Sequence, residues 1–179
     1  RDGTTETAFE LAVLGSPSLG SEHIRGLFVT TKANHAEAAI GTISHAICAG
    51  APVILLHNGM GVREQLSKSQ PQLSLFSGTT TEGAYRTAPR HICHAGSGQT
   101  RIGRPGQETP PGWMNQWQQA LPDCRWDADI ARALWLKLAI NCAINPLTAL
   151  HNCRNGALAS RQELAEEVAG LCTEIAAVT

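Results

Sequence analysis

Length, composition and charge exclude several classes of protein. The chain has 179 residues, of which 42% are hydrophobic and 16% are charged, and its formal net charge is -1. A near-neutral chain without a basic run is not expected to bind nucleic acid or an anionic membrane surface. Its apolar runs are shorter than the roughly 20 residues that cross a bilayer. The chain opens on Arg1 without a signal-peptide pattern, so we expect a piece of a longer globular protein.

The cysteines indicate the cellular compartment. Six of them are scattered along the chain, and none forms a C-x-x-C pair. Small secreted domains place their cysteines densely in loops. Here Cys48 and Cys142 lie within apolar runs, where a free cysteine behaves as a small hydrophobic residue. The pattern therefore predicts a reduced, cytoplasmic protein.

The first half of the chain alternates strand and helix signals. Residues 26–31 and 52–56 are short apolar runs, typical of strands buried on both faces of a parallel sheet. Between them we predict a helix over 35–49, capped by Asn34 and ended by Gly50. A short helix is predicted at 62–69, followed by a third apolar strand at 73–76. This order predicts a doubly wound α/β domain.

The second half of the chain changes character. Residues 91–95 and 99–103 flank a Gly-Ser-Gly turn, and this pattern predicts a β-hairpin. Beyond it we predict a helix at 113–120, a short strand at 125–126, a helix at 129–145 that breaks at Pro146, and a last helix from 161 onward. The composition shift near 127–129 predicts an α/β domain over 1–127 and the start of a helical domain over 128–179.

The predicted helix before Pro146 carries an unusual polar stripe. It is apolar almost all round, which predicts a buried helix. Lys137, Asn141 and Asn145 interrupt it at steps of four residues and therefore share one face. One interpretation is the solvent face of an amphipathic helix, although such a face is usually wider and richer in charge. The alternative is a ligand cleft, in which the amides bind carboxylate or hydroxyl groups and the lysine donates a proton.

Polar residues also follow the two predicted parallel strands. Lys32 comes just after the strand at 26–31, and Asn58 begins an Asn-Gly turn after the strand at 52–56. Ligands of open α/β sheets bind outside the carboxyl ends of the strands, so these two residues are candidates for a binding site. His57 is interpreted as a residue of the pocket wall.

No metal site is expected. His91, Cys93 and His94 are close in sequence, but in a strand residues 91 and 93 share one face while 94 points to the other. No second ligand pair at zinc-finger spacing is present in the sequence. A hydrolase is not supported either, because there is no G-x-S-x-G motif.

Five runs of the chain occur in the order and spacing of a known family. They are LFVTTKAN (27–34), LLHNGMGV (55–62), GTTTEGAYR (78–86), HAGSGQTRIG (94–103) and LWLKLAINCAINPLTALHNCRNG (134–156). Together they resemble the ketopantoate reductases (2-dehydropantoate 2-reductases). The resemblance implies a Rossmann-like NAD(P)-binding domain, incomplete at its N-terminus, followed by the start of an all-α C-terminal domain.

The resemblance also implies an activity and its residues. The family reduces 2-dehydropantoate to R-pantoate with NADPH, a step of pantothenate and coenzyme A biosynthesis. By motif position, Lys137 would be the general acid and would contact the substrate. The other implied substrate ligands are Asn141, Asn145 and Asn155, and the implied cofactor ligands are Lys32, Asn58 and the backbone of Ala84.

The chain departs from the family pattern at several points. The early glycines of residues 15–20 have the wrong spacing for G-x-G-x-x-G and enclose Pro17. We therefore expect the glycine motif and the NADP-selecting residue before Arg1, and the remaining helices after Thr179. Glu82 stands where some members carry His.

Two alternatives to ketopantoate reduction stay open. One is a reductase of another 2-keto acid on the same fold, and the other is a truncated, non-catalytic nucleotide-binding relative. The expected partner is a small 2-keto acid rather than nucleic acid or a membrane, and both a monomer and a homodimer are compatible with the sequence.

Overall fold

The structure is a computed structural model that describes residues 7–10 and 24–178. It divides into two compact units, Arg1–Ile130 and Ala131–Thr179. The glycines of residues 15–20 lie outside the described residues. The strands are β1 (Leu27–Val29), β2 (Pro52–Leu55), β3 (Ser74–Thr80), β4 (Gly83–Ala88), β5 (His91–Gly96), β6 (Thr100–Gly103) and β7 (Cys124–Trp126). The helices are α1 (Ala33–Ile43), α2 (Val62–Ser69), α3 (Trp113–Ala120), α4 (Ile130–Leu150), α5 (Asn155–Ser160) and α6 (Gln162–Ala176).

The first unit is built on a five-stranded sheet. Its strand order is β1-β2-β3-β6-β7, with β1, β2 and β3 parallel and β6 antiparallel to β3. All four residues of β2 are buried, because helices cover both faces of the sheet. This arrangement confirms the α/β fold predicted from the uninterrupted apolar runs.

The two faces of the sheet have different cores. On one face, Val53 and Leu55 of β2 pack with buried residues of α1 and α2. On the other face, Ile54 and Phe76 pack with Met114 of α3 and a group of tryptophans. Phe76 meets the rings of Trp113 and Trp126 edge to face, with centroids 5.0 and 6.1 Å apart. The alternation of adjacent strand residues therefore separates an aliphatic layer from an aromatic one.

The hairpin predicted at 91–103 is wrong in its pairing. β5 pairs with β4 instead, through a tight turn in which Arg90 has a φ of 64°. β6 leaves that hairpin and joins the main sheet between β3 and β7. Gly98 allows this crossing, because a Cβ there would lie 2.3 Å from the backbone carbon of Thr81. The Gly-rich segment is thus a close backbone crossing and not a hairpin turn.

Two helix boundaries also differ from the prediction. α1 begins at Ala33, so Asn34 lies inside its first turn, and Lys32 occupies the cap position without a side-chain cap. The helix ends at Ile43 and continues as a short 3-10 helix over Ser44–Ala46, well before Gly50. The predicted helix was too long because the apolar pattern continues through Ala46 and Ile47, beyond the last residue of α1.

α4 runs through Pro146 without the predicted break. An interior proline removes one backbone hydrogen bond and crowds the carbonyl group four residues earlier, but the next residue, Leu147, is buried in the core of the second unit, and this packing keeps the helix continuous past Pro146. The prediction of a buried helix is also wrong over part of its length, because Trp135, Leu136 and Ile140 are 48%, 62% and 48% exposed. By length and composition α4 would also suffice to cross a membrane, which for a single helix is weak support for a membrane protein.

The second unit has its own small core. Leu147, Leu158 and Leu164, from α4, α5 and α6, form its buried centre. α5 was not predicted, since Asn155-Gly156 reads as a turn in the sequence. Asn155 is instead the first residue of this helix.

Candidate active site

The predicted cofactor residues of the first unit follow neighbouring strand ends. Val29 of β1 pairs with Leu55 of β2 in parallel register, and Lys32 and Asn58 each follow their strand by the same number of residues. Both side chains are exposed. The register thus places an ammonium group and an amide at the carboxyl edge of the sheet, where open α/β folds bind ligands.

The loop after β2 is shaped by its glycines. Gly59 and Gly61 have φ values of 96° and 90°, in the left-handed region that other residues rarely adopt. Gly61 also occupies the cap position before α2. These two glycines let the chain reverse from β2 into α2 within a few residues, which leaves Asn58 on the exposed part of the loop.

A polar clasp holds the segment after β3 in place. The His94 Nε2 and Glu82 Oε2 atoms are 2.6 Å apart, so the end of β5 is tied to the start of β4. The backbone N–H of Gly98 also hydrogen-bonds to Glu82, and together these contacts lower the pKa of its carboxyl group. The Thr81 N–H donates to the Gln99 carbonyl at 3.1 Å in the same crossing. Ala84 lies directly after this clasp and pairs with His94.

We expect Glu82→Gln to change how stability depends on pH. The pKa of Glu82 is lower in the folded chain than in the unfolded chain, so its ionisation stabilises the fold above the unfolded pKa of about 4.5. That stabilisation is lost as the pH falls through the lowered folded pKa. The Tm difference between wild type and Glu82→Gln should therefore be largest near neutral pH and disappear in acid.

The matched control for this prediction is Glu108→Gln, which removes one negative charge from an exposed position in the loop between β6 and α3. Thermal unfolding followed by circular dichroism between pH 2.5 and 7 would compare the three proteins, a range set by the usual carboxyl pKa of about 4. An identical profile for Glu108→Gln and Glu82→Gln would contradict a specific role of the clasp.

The polar stripe lies on α4 as the spacing predicts. The helix is continuous from Ile130 to Leu150, so Lys137, Asn141 and Asn145 share one face. Lys137 and Asn141 are half-buried, and Asn145 is exposed. Burial lowers the pKa of the Lys137 ammonium group. A lysine with a lowered pKa gives up its proton more readily, as a general acid near neutral pH requires.

Asn155 stands at the start of α5 in the second unit. It follows the extended residue Arg154 and is exposed. The core of Leu147 and Leu158 fixes the connection between α4 and α5. An exposed amide at a helix start is available to a ligand, although its assignment as a substrate residue stays a prediction.

Sequence reasoning missed the clasp of Glu82 and His94. The two residues are 12 positions apart, and nothing in their local sequence pairs them. The Gly-Ser-Gly segment was the available signal, because glycines mark close backbone approach as well as turns. Within residues 7–10 and 24–178, no group of three or more His, Cys, Asp or Glu is placed to hold a metal ion, and all six cysteines are free.

Comparison with known families matches most of the chain. The model of the ketopantoate reductase PanE/ApbA family matches residues 4–107, and the model of its C-terminal part matches residues 129–179. The 2-dehydropantoate 2-reductase of Vibrio cholerae is 36% identical over 159 residues, which are 87% of this chain and 53% of that protein. The Salmonella typhimurium 2-dehydropantoate 2-reductase is 39% identical over 155 residues, 85% of this chain and 49% of that protein.

A solved structure has the same fold. The 2-dehydropantoate 2-reductase of Geobacter metallireducens superposes with a TM-score of 0.75 at 23% identity, over 88% of this chain and 53% of that one. The chain thus spans about half the length of the relatives it matches.

Proposed function

Because the chain belongs to the ketopantoate reductase family, we propose that its protein reduces the ketone of 2-dehydropantoate to R-pantoate with NADPH. The observation that carries this proposal is the match to both family models together with 36–39% identity to 2-dehydropantoate 2-reductases. The family is one of oxidoreductases that act on a small keto acid. The protein is proposed to be cytoplasmic, with no nucleic acid or membrane partner.

The carboxyl edge of the sheet suits a nicotinamide dinucleotide. Lys32 offers a positive charge to a phosphate or ribose, and Asn58 offers an amide that both donates and accepts hydrogen bonds. Ala84 is exposed and lies just after the clasp, where its backbone can contact the planar nicotinamide ring. We assign the cofactor side of the site to these three residues, with NADPH preferred over NADH.

The stripe on α4 supplies the acid and the substrate ligands. Bound NADPH would provide the hydride that adds to the carbonyl carbon of the substrate. Lys137 then gives a proton from its Nζ atom to the carbonyl oxygen, whose negative charge the ammonium stabilises as it develops. Asn141, Asn145 and Asn155 hold the carboxylate and hydroxyl groups of the substrate through their amides.

The protein expressed from its complete reading frame is expected to consume NADPH when 2-dehydropantoate is added. The decrease of NADPH absorbance measures the rate, and chiral analysis of the product identifies R-pantoate. A panel of branched and unbranched 2-keto acids, compared by kcat/KM, tests the substrate. A higher kcat/KM for another keto acid would assign that acid, rather than 2-dehydropantoate, as the substrate. No turnover with any of them would contradict the proposal that the protein is a keto acid reductase.

A further inference from the structure

Two buried polar atoms near the end of β2 have no hydrogen-bond partner among the residues that the structure describes. They are Nε2 of His57 and Oγ1 of Thr79. Thr79 is only 6% exposed, and the His57 ring is half-buried. A buried polar group without a hydrogen-bond partner destabilises a fold, so these two atoms call for an explanation.

The two residues are equally far from the last observed pair of β2 and β3. Leu55 of β2 pairs with Ser77 of β3 in parallel register. β2 ends at Leu55, and His57 lies two residues beyond it, while Thr79 lies two residues beyond Ser77 within β3; continued this far, the register would set His57 beside Thr79. Both continue the alternation of Leu55 and Leu75, which face the layer of α1 and α2.

The chemistry of the two atoms is complementary. The His57 Nδ1 atom is 3.2 Å from the backbone oxygen of Asn58. A carbonyl oxygen only accepts, so this hydrogen bond requires the proton on Nδ1. In the neutral ring Nε2 is then an acceptor, whereas the Thr79 hydroxyl can donate.

We propose that His57 and Thr79 are positioning residues for Asn58, linked through one water molecule that accepts a hydrogen bond from the Thr79 hydroxyl and donates one to His57 Nε2. The link fixes the imidazole ring, and the ring holds the Asn58 carbonyl and hence the Asn58 side chain at the sheet edge. This role rests on the proposed function, in which Asn58 contacts the cofactor. This positioning role replaces the interpretation of His57 as a residue that only lines the pocket wall.

Thr79→Val tests the hydrogen bond because valine has nearly the same shape without a hydroxyl. Loss of a made hydrogen bond should lower the Tm by about 2–4 °C, whereas removal of an unpaired buried hydroxyl should raise it. Thr79→Ser keeps the hydroxyl and should keep the tautomer of His57. In nitrogen-15 spectra of the imidazole rings, His57 should carry its proton on Nδ1 in wild type and Thr79→Ser.

Cofactor kinetics of the protein from its complete reading frame test the positioning role. His57→Leu and Thr79→Val should raise the KM for NADPH about three- to tenfold, with little change in the KM for the keto acid. His57→Gln should rescue the KM, because its amide can donate to Asn58 and accept from the bridging water molecule.

The results separate this role from the proposed function. A raised Tm for Thr79→Val, or a proton on Nε2 of His57 in wild type, would overturn the positioning role. So would an unchanged KM for NADPH in both Thr79→Val and His57→Leu. A wild-type protein without NADPH turnover would refute the proposed function, and the Tm and tautomer measurements would still decide the hydrogen bond.

Discussion

Lys137→Ala is expected to lower kcat by about 10²–10⁴-fold, the usual contribution of a positioned general acid. The side chain is half-buried on α4, and burial lowers its pKa, so the wild-type ammonium is a better proton donor than an ordinary lysine. In the proposed reaction, removal of this group would leave the negative charge that develops on the carbonyl oxygen during hydride addition without a proton donor. The KM for the keto acid should rise as well, because Lys137 is also assigned to the substrate. Steady-state kinetics of the protein from its complete reading frame measure both constants.

Lys68→Ala is the matched control, since Lys68 is an exposed lysine in the last turn of α2. It should leave kcat and the KM for the keto acid unchanged. Full turnover in Lys137→Ala, with a folded protein by circular dichroism, would show that another group protonates the carbonyl oxygen.

The same lysine predicts the direction of the pH dependence. The acid must carry its proton, so kcat should fall as the pH rises through the pKa of Lys137. Because burial lowers this pKa, the fall should begin at a lower pH than for an exposed lysine. A kcat that rises with pH over the same range would contradict the assignment of Lys137 as the acid.

Gly103→Ala is expected to destabilise the first unit by about 3 kcal/mol or more, at or above the upper end of the usual cost of overpacking. A Cβ at this position would lie 2.1 Å from the Asp127 carbonyl oxygen and 2.6 Å from Ile130 Cβ. Gly103 is buried at the end of β6, where the chain after β7 returns to begin α4. Neither neighbour is a flexible side-chain end, so the backbone itself would have to shift. Urea unfolding measures the change.

Gly170→Ala serves as the control of opposite sign. Gly170 lies within α6, and a Cβ there would meet nothing within 4 Å. Alanine should stabilise this exposed helix position by about 0.5–1 kcal/mol. A Gly103→Ala protein as stable as wild type would mean that the β6–α4 junction is looser than the structure indicates.

Local sequence was sufficient for the elements that bury apolar runs. The apolar segments at 26–31 and 52–56 are strands, and Val62–Ser69 and Trp113–Ala120 are helices as predicted. The stripe of Lys137, Asn141 and Asn145 was equally predictable, because side chains four residues apart on a helix lie on one face. These features were predictable because the helix or strand period alone decides which nearby residues share a face.

Partner choice in the sheet could not be predicted in the same way. The Gly-Ser-Gly segment is compatible with a hairpin between its flanking runs, but β5 pairs with β4 and β6 pairs with β3. Strand pairing depends on which distant edge is free and on how closely two backbones can pass. The glycine at position 98 is needed because two backbone segments pass closely there, but the sequence does not show that the second segment is the one at Thr81.

By itself, the sequence determined the family, the α/β class and the residues that can do the chemistry, because residue types and short-range spacing carry that information. Only the tertiary structure decided that Glu82 is bound by His94, and that buried polar atoms of His57, after β2, and Thr79, in the neighbouring strand β3, have no partner among the described residues. These relations join residues far apart in the chain. They depend on register and burial, which arise when the strands pack and which no local pattern encodes.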